Sequence, residues 1–217
     1  MYRCCIFDLD GTIINTLHSL QKTVNVTMEA FGYGPIDEEH IKVFVGDGYK
    51  TLVERALQYC GDGQLSHYEE ALKVYEKAFQ EYCLYQMEPY PGMPEFLKLL
   101  KEKGVKIAVV TNKPHEQAIR CVETAYGKGF FDRITGEGKE MKRKPDPQGA
   151  LMTSEGFGID PKECLYFGDT NTDMRTGINA GMDTVGVLWG FRDRAELEAF
   201  EPKYIISHPD EIRGLFE

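Results

Sequence analysis

"FDLDGT" (Phe7–Thr12) stands directly behind the apolar run Cys4-Cys5-Ile6-Phe7. Four apolar residues in succession suit a strand buried on both faces of a parallel sheet. A strand of that kind has no use for charge, so a carboxylate at its end points to function rather than packing. Asp8 and Asp10 lie two positions apart with Leu9 between them. Strand-like alternation sets the two carboxylates on one side and Leu9 on the other. Gly11 then lets the chain turn sharply away.

Further along, Val105–Val110 ("VKIAVV"), Cys164–Phe167 ("CLYF") and Thr184–Leu188 ("TVGVL") repeat the pattern of a short apolar run, a polar or glycine-bearing turn and a helix. Weaker strands are expected at Arg133–Thr135 and Tyr204–Ile206. The intervening stretches, such as "PEFLKLLKEKG" with Gly104 as its stop, carry helical periodicity. Strand and helix alternating in this way predict a Rossmann-like, doubly wound α/β fold with a parallel sheet.

The alternation breaks after the first strand. Leu17, Leu20, Val24, Met28 and Phe31 recur at helical spacing, as do Leu52, Ala56 and Tyr59, then Tyr68, Leu72, Tyr75 and Phe79. The expected organisation is an all-helical cap over residues 15–85, inserted into an α/β core of residues 1–14 and 86–217. "MEPYPGMP" (Met87–Pro94) marks the return to the core. The aromatic stripe of the last cap helix reads as bundle core rather than a ligand cage.

The 217 residues are 42% hydrophobic and 28% charged, enough for one α/β domain with an insertion. The formal net charge is −10 and no Lys/Arg block stands out, which argues against a nucleic-acid or anionic-membrane partner and for a small polar substrate. Neither a signal segment nor a run of roughly 20 apolar residues is present, so a cytoplasmic protein is expected, monomeric or homodimeric. Six cysteines without CxxC spacing predict free, buried thiols.

In an open parallel sheet the carboxyl ends of the strands share one edge. That edge would gather Asp8 and Asp10 from the first strand, Thr111 and Asn112 from the second, and Asp169 and Asp173 from "GDTNTD". Four converging carboxylates repel one another unless a hard divalent cation, of which Mg²⁺ is the natural choice, sits among their oxygens. Lys144 in "KRKPDP" is the candidate for further positive charge there, with Lys142 and Arg143 competing for the place. Asp173 could also serve simply as a helix cap, as could Thr170 or Asn171.

Taken in order, "FDLDGT", Thr111-Asn112, Lys144-Pro145 and "GDTNTD" resemble the four motifs of the haloacid dehalogenase superfamily, and the helical insertion resembles its small cap. The resemblance spans nearly the whole chain. "VGDGYKTLVERAL" (Val45–Leu57), Pro89–Pro114 and "LWGFRDRAELE" (Leu188–Glu198) look most like the phosphoglycolate phosphatase branch. The resemblance implies a Mg²⁺-dependent phosphomonoesterase. Asp8 would be the nucleophile and Asp10 the general acid and base. Thr111 and Asn112, with amides of Gly11 and Thr12, would hold the phosphoryl oxygens. Lys144 would neutralise charge. Asp8, Asp10 (through its carbonyl), Asp169 and Asp173 would surround the metal. Gly46 and Lys50, in the loop "VGDGYK", are the cap candidates for substrate contact, and hinges near Asn15 and Met87 would let the cap close. Asn15 departs from the aspartate that relatives commonly carry near that position.

Rival activities divide on Asp10. A haloacid dehalogenase needs no acid there. A phosphonate hydrolase lacks that aspartate and uses a cap lysine, for which Lys42 would have to serve. A hexose-phosphate mutase would need a cap histidine and arginine, with His18 lying nearby. A pyrophosphatase or nucleotidase shares all four motifs and is the main alternative, whereas a non-catalytic binding module would not be expected to keep them intact.

Overall fold

The computed structural model describes residues 2–138 and 141–217. Its strands are β1 (Cys4–Phe7), β2 (Ile14–Asn15), β3 (Glu88–Pro89), β4 (Lys106–Pro114), β5 (Arg133–Glu137), β6 (Cys164–Gly168), β7 (Asp183–Val187) and β8 (Tyr204–Ile206). The helices are α1 (Leu17–Glu29), α2 (Glu38–Phe44), α3 (Tyr49–Tyr59), α4 (Tyr68–Tyr82), α5 (Met93–Glu102), α6 (His115–Tyr126), α7 (Gln148–Phe157), α8 (Asn171–Asn179) and α9 (Arg194–Glu198). The chain forms two compact units, Met1–Asn15 with Pro89–Glu217, and Thr16–Glu88.

The first unit is the α/β body. Its six-stranded sheet has the order β5-β4-β1-β6-β7-β8, and the pairs are parallel throughout. β1 lies between β4 and β6, so the chain winds one way from β1 and then returns to wind the other way. The loops leaving those two neighbours therefore diverge at the end of β1, which opens a crevice there. All four β1 residues are fully buried, and Phe7 stacks on Phe167 with ring centroids 4.5 Å apart. Register aligns the strand ends: Phe7 pairs with both Val109 and Phe167. Asp8 donates its amide to the Phe167 carbonyl at 2.9 Å, carrying the ladder one residue further.

β4 departs from the expected 105–110. It runs on through Thr111, Asn112 and Lys113 to Pro114, with a register shift between Val110 and Pro114. Polar residues persist in this strand because they lie at the sheet edge where the ion pairs described below satisfy them.

The second unit is all-helical, α1 to α4. Its interior is built from Leu20, Val24, Met28, Ile41, Leu52, Val53, Leu57, Ala71, Tyr75 and Phe79. Tyr75 and Phe79 stack at 5.5 Å. Tyr59, placed on the apolar face by periodicity, is instead 49% exposed and packs sideways on His40, 4.4 Å away, and on Phe44. It closes the last turn of α3, where the helix has run past the core. Between α2 and α3, Gly46 (φ 122°) and Gly48 (φ 85°) occupy backbone regions that side chains avoid. Arg55 ties this loop down, donating to the Phe44 carbonyl at 2.8 Å and pairing with Asp47 at 2.6 Å.

No disulfide forms among the six cysteines, five of which are buried. No helix among the described residues is long and apolar enough to cross a membrane.

Candidate active site

Asp8 begins the turn after β1, Asp169 follows β6, and Asp173 lies on the first turn of α8. Each offers a carboxylate oxygen, and the three atoms lie within 4.8 Å of one another in a buried setting. Lys144 reaches this cluster from the loop after β5. Its Nζ is 2.8 Å from Asp8 Oδ1 and 2.6 Å from Asp173 Oδ1. The first contact is an ion pair whose geometry leaves Asp8 Oδ1, a buried atom, without a hydrogen bond. Of the three adjacent cations in "KRK", Lys144 alone is buried with the carboxylates. Lys142 is exposed and pairs with Asp146, while Arg143 pairs with Glu137.

Asn112 explains the selection of Lys144. Its side-chain oxygen accepts from the Lys144 amide at 2.8 Å and its side-chain nitrogen donates to the Lys144 carbonyl at 3.2 Å. This two-point clamp fixes the backbone from which Lys144 reaches inward. Asn112 was expected at the phosphoryl oxygens, and the fold gives its side chain this clamping position. Thr111 is buried beside it and accepts from the Lys113 amide at 3.3 Å.

Asp173 proves to be both cap partner and site residue. Thr170 is the N-cap of α8: its amide donates to Asp173 Oδ2 at 3.1 Å and its hydroxyl accepts from the Asp173 amide at 3.4 Å in a capping box, while the hydroxyl also donates to Oδ2 at 2.7 Å. The other oxygen, Oδ1, faces Lys144. Gly168 makes the room, since a Cβ there would stand 2.1 Å from the Asp173 Cβ.

Asp169 is fully buried. Thr12 Oγ1 donates to its Oδ1 at 2.9 Å and the Phe191 amide donates to its Oδ2 at 2.8 Å. Gly11 (φ 82°) and Gly190 pack against it so closely that a Cβ on either would lie 2.3 Å from an Asp169 atom. Trp189, the chain's single tryptophan, donates its indole N–H to the Thr12 carbonyl at 2.9 Å and locks the same turn. The stretch Trp189–Phe191 was legible in the sequence only as part of a family resemblance.

Gly11 and Thr12 correct the expectation placed on their amides. The Gly11 amide donates to the Ile14 carbonyl at 3.1 Å and the Thr12 amide to Leu9 at 3.3 Å. A turn this tight satisfies its own donors. The Leu9 amide, by contrast, has no backbone acceptor among the described residues. Asp10 lies outside the acidic triad, and its Oδ1 is 2.8 Å from Nζ of Lys113. Gly46 and Lys50 belong to the helical unit, Gly46 in the α2–α3 loop and Lys50 exposed in the first turn of α3.

The electrostatics ask for a cation. Four aspartates and two lysines, Lys113 and Lys144, gather here, so full ionisation would set four negative charges against two positive ones. Burial first, then repulsion from Asp173, pushes the Asp8 carboxyl up to about 7 even with Lys144 beside it. Burial, Asp173 and Asp8 likewise raise Asp169 well above the carboxylate range. Burial pulls the Lys144 ammonium down, but Asp173 and Asp8 outweigh it and hold the group well above its ordinary value. Buried carboxylate oxygens whose full ionisation leaves two excess charges fit a hard divalent cation.

Gly190→Ala is therefore expected to weaken divalent-cation binding about 10- to 100-fold, the usual cost of disturbing a residue that orients a metal ligand. Calorimetric titration of the purified variant with Mg²⁺ and Mn²⁺ measures this. Wild-type affinity would show that Asp169 tolerates the added methyl.

A profile of the haloacid dehalogenase-like hydrolases matches residues 5–187. The chain belongs to this hydrolase family. Within it, the likeness runs to the phosphoglycolate phosphatases. The phosphoglycolate phosphatase of Aquifex aeolicus is 31% identical over 215 residues, covering 99% of this chain and 97% of that protein. A crystal structure from Lactobacillus delbrueckii subsp. bulgaricus, of a protein put forward as a phosphoglycolate phosphatase, superposes with a TM-score of 0.92 at 30% identity over 99% of this chain and 98% of that one. The N-acetylmuramic acid 6-phosphate phosphatase of Pseudomonas aeruginosa is 28% identical over 97% of this chain and 92% of its own length.

Proposed function

We propose that this hydrolase is a Mg²⁺-dependent phosphomonoesterase acting on a small phosphorylated metabolite, with 2-phosphoglycolate as the leading substrate. The observation that carries the reading is the buried triad of Asp8, Asp169 and Asp173, with Lys144 on Asp8. Asp169 and Asp173 with Asp8 would hold the cation, joined by the Asp10 carbonyl as the family resemblance implies. When bound, the cation supplies the positive charge that keeps Asp8 ionised beside an anionic substrate.

Asp8 bonds to phosphorus in line with the ester oxygen, and the P–O ester bond breaks with its electron pair leaving on the alkoxide. Asp10 gives that alkoxide its proton. Water then attacks the aspartyl-phosphate and passes a proton to the Asp10 carboxylate, which releases inorganic phosphate and restores Asp8. Lys144, Thr111, the Leu9 amide and the N-terminus of α6 offer positive charge and donors to the phosphoryl oxygens. Asn112 contributes by holding Lys144 in place.

The test is phosphate release by the purified protein with Mg²⁺, with and without chelator, across phosphoglycolate, sugar 6-phosphates, nucleotides and pyrophosphate. A dominant, chelator-sensitive rate on phosphoglycolate is expected. Preference for a sugar phosphate would place the chain with the N-acetylmuramic acid 6-phosphate phosphatases instead. Preference for pyrophosphate or nucleotides would overturn the phosphomonoester assignment or its small-metabolite substrate.

A further inference from the structure

The two aspartates of "FDLDGT" are sorted onto different lysines. Lys144 takes Asp8, and shares itself with Asp173. Lys113 takes Asp10, 103 residues away in sequence, and its side chain is only 1% exposed. A lysine so buried is costly unless its charge is matched, so the contact dictates where its ammonium rests.

The base of this lysine is fixed as firmly as its tip. Its amide donates to the Thr111 hydroxyl at 3.3 Å, and its carbonyl packs on Gly136 of β5, where a Cβ would stand 2.6 Å away. β4 and β5 thus hold Lys113 rigidly. The backbone of Asp10 is bridged to Ile14 and its carboxylate is held through Oδ1 by Lys113, apart from the acidic triad.

We propose that Lys113 is a positioning residue for proton transfer: it holds the Asp10 carboxylate by Oδ1, away from the triad, in the orientation from which Asp10 exchanges a proton with the leaving group. The inference rests on the reading of Asp10 as the acid and base given above. It predicts a loss that depends on how much the leaving group needs a proton.

The experiment compares wild type with Lys113→Met on an alkyl phosphate, the best substrate found above, and on p-nitrophenyl phosphate, whose phenolate departs without protonation. On the alkyl ester kcat is expected to fall about 100-fold, within the range of acid catalysis, with KM changed less than about threefold. With p-nitrophenyl phosphate the first-turnover burst of nitrophenolate, read by stopped flow, is expected to stay within about threefold of wild type. Equal losses in both, or none in either, would overturn the proposal.

Circular dichroism and Trp189 fluorescence check the fold. Should Lys113→Met misfold, Lys113→Gln carries the same comparison, and failure of both to fold would assign Lys113 to stability and overturn the proposal. If wild type hydrolyses neither ester, or Asp8→Asn releases nitrophenolate as fast as wild type, the phosphatase reading itself falls.

Discussion

Asp8→Asn is expected to abolish turnover while making the chelator-treated protein more stable. The activity loss should be at least about 10³-fold, because the amide cannot form the covalent bond to phosphorus and no neighbouring group can replace it. The stability gain follows from the raised Asp8 carboxyl. Its value of about 7 in the folded chain lies above the ordinary 3.8, so the folded state binds the proton more tightly than the unfolded one. That stabilisation is complete below about 4 and is lost as pH rises to about 7. Above that pH wild type carries an unfavourable buried charge that the asparagine lacks. Thermal melts in chelator at pH 5 and pH 8 should show a larger fall in Tm for wild type than for the variant. A variant within tenfold of wild-type activity would eliminate Asp8 as nucleophile, and a variant less stable at pH 8 would show that its ion pair with Lys144 outweighs burial.

Lys144→Met is expected to cost both function and fold. Its ammonium is the shared partner of Asp8 and Asp173, and all three side chains are under 10% exposed. Removing one partner of a buried ion pair typically costs about 3–5 kcal/mol, because the remaining charge has no water to turn to. Asp173 would suffer most, since its second oxygen is committed to the capping box of α8. Chemical denaturation measures the loss. Adding Mg²⁺ should recover part of the stability, because a cation binding among the same carboxylates supplies the missing positive charge. Activity should nevertheless stay depressed about 100-fold or more, since the proposed mechanism also gives Lys144 the charge of the phosphoryl group to neutralise. Unchanged denaturation in chelator would show that the ion pairs of Lys144 contribute nothing to stability.

The sheet, the helical insertion and the carboxylates at the strand ends were readable from local pattern alone. β1 is a run of four apolar residues ending in charge, and a parallel sheet leaves such charge only one place to go. Periodicity also located three of the four insertion helices, though it placed Tyr59 inside when it lies at the exposed end of α3. Spacing could not say which cation of Lys142, Arg143 and Lys144 enters the site. Each has the same charge and nearly the same reach, and the choice is made by Asn112, which clamps the Lys144 backbone from a strand 32 residues earlier.

Lys113 escaped notice for a related reason. Strand parity stops predicting direction where β4 shifts register past Val110, and a lysine at a strand end ordinarily reads as solvated. Gly190 and Trp189 likewise gain meaning only once β7 is laid beside β6, which brings their loop onto Asp169. The sequence by itself determined which chemical groups this protein could bring to one edge of a sheet, because strand ends and turns are written in neighbouring residues. Only the tertiary structure decided which carboxylate each lysine serves, since such pairings join residues up to 136 positions apart and depend on the backbone that holds each lysine's base.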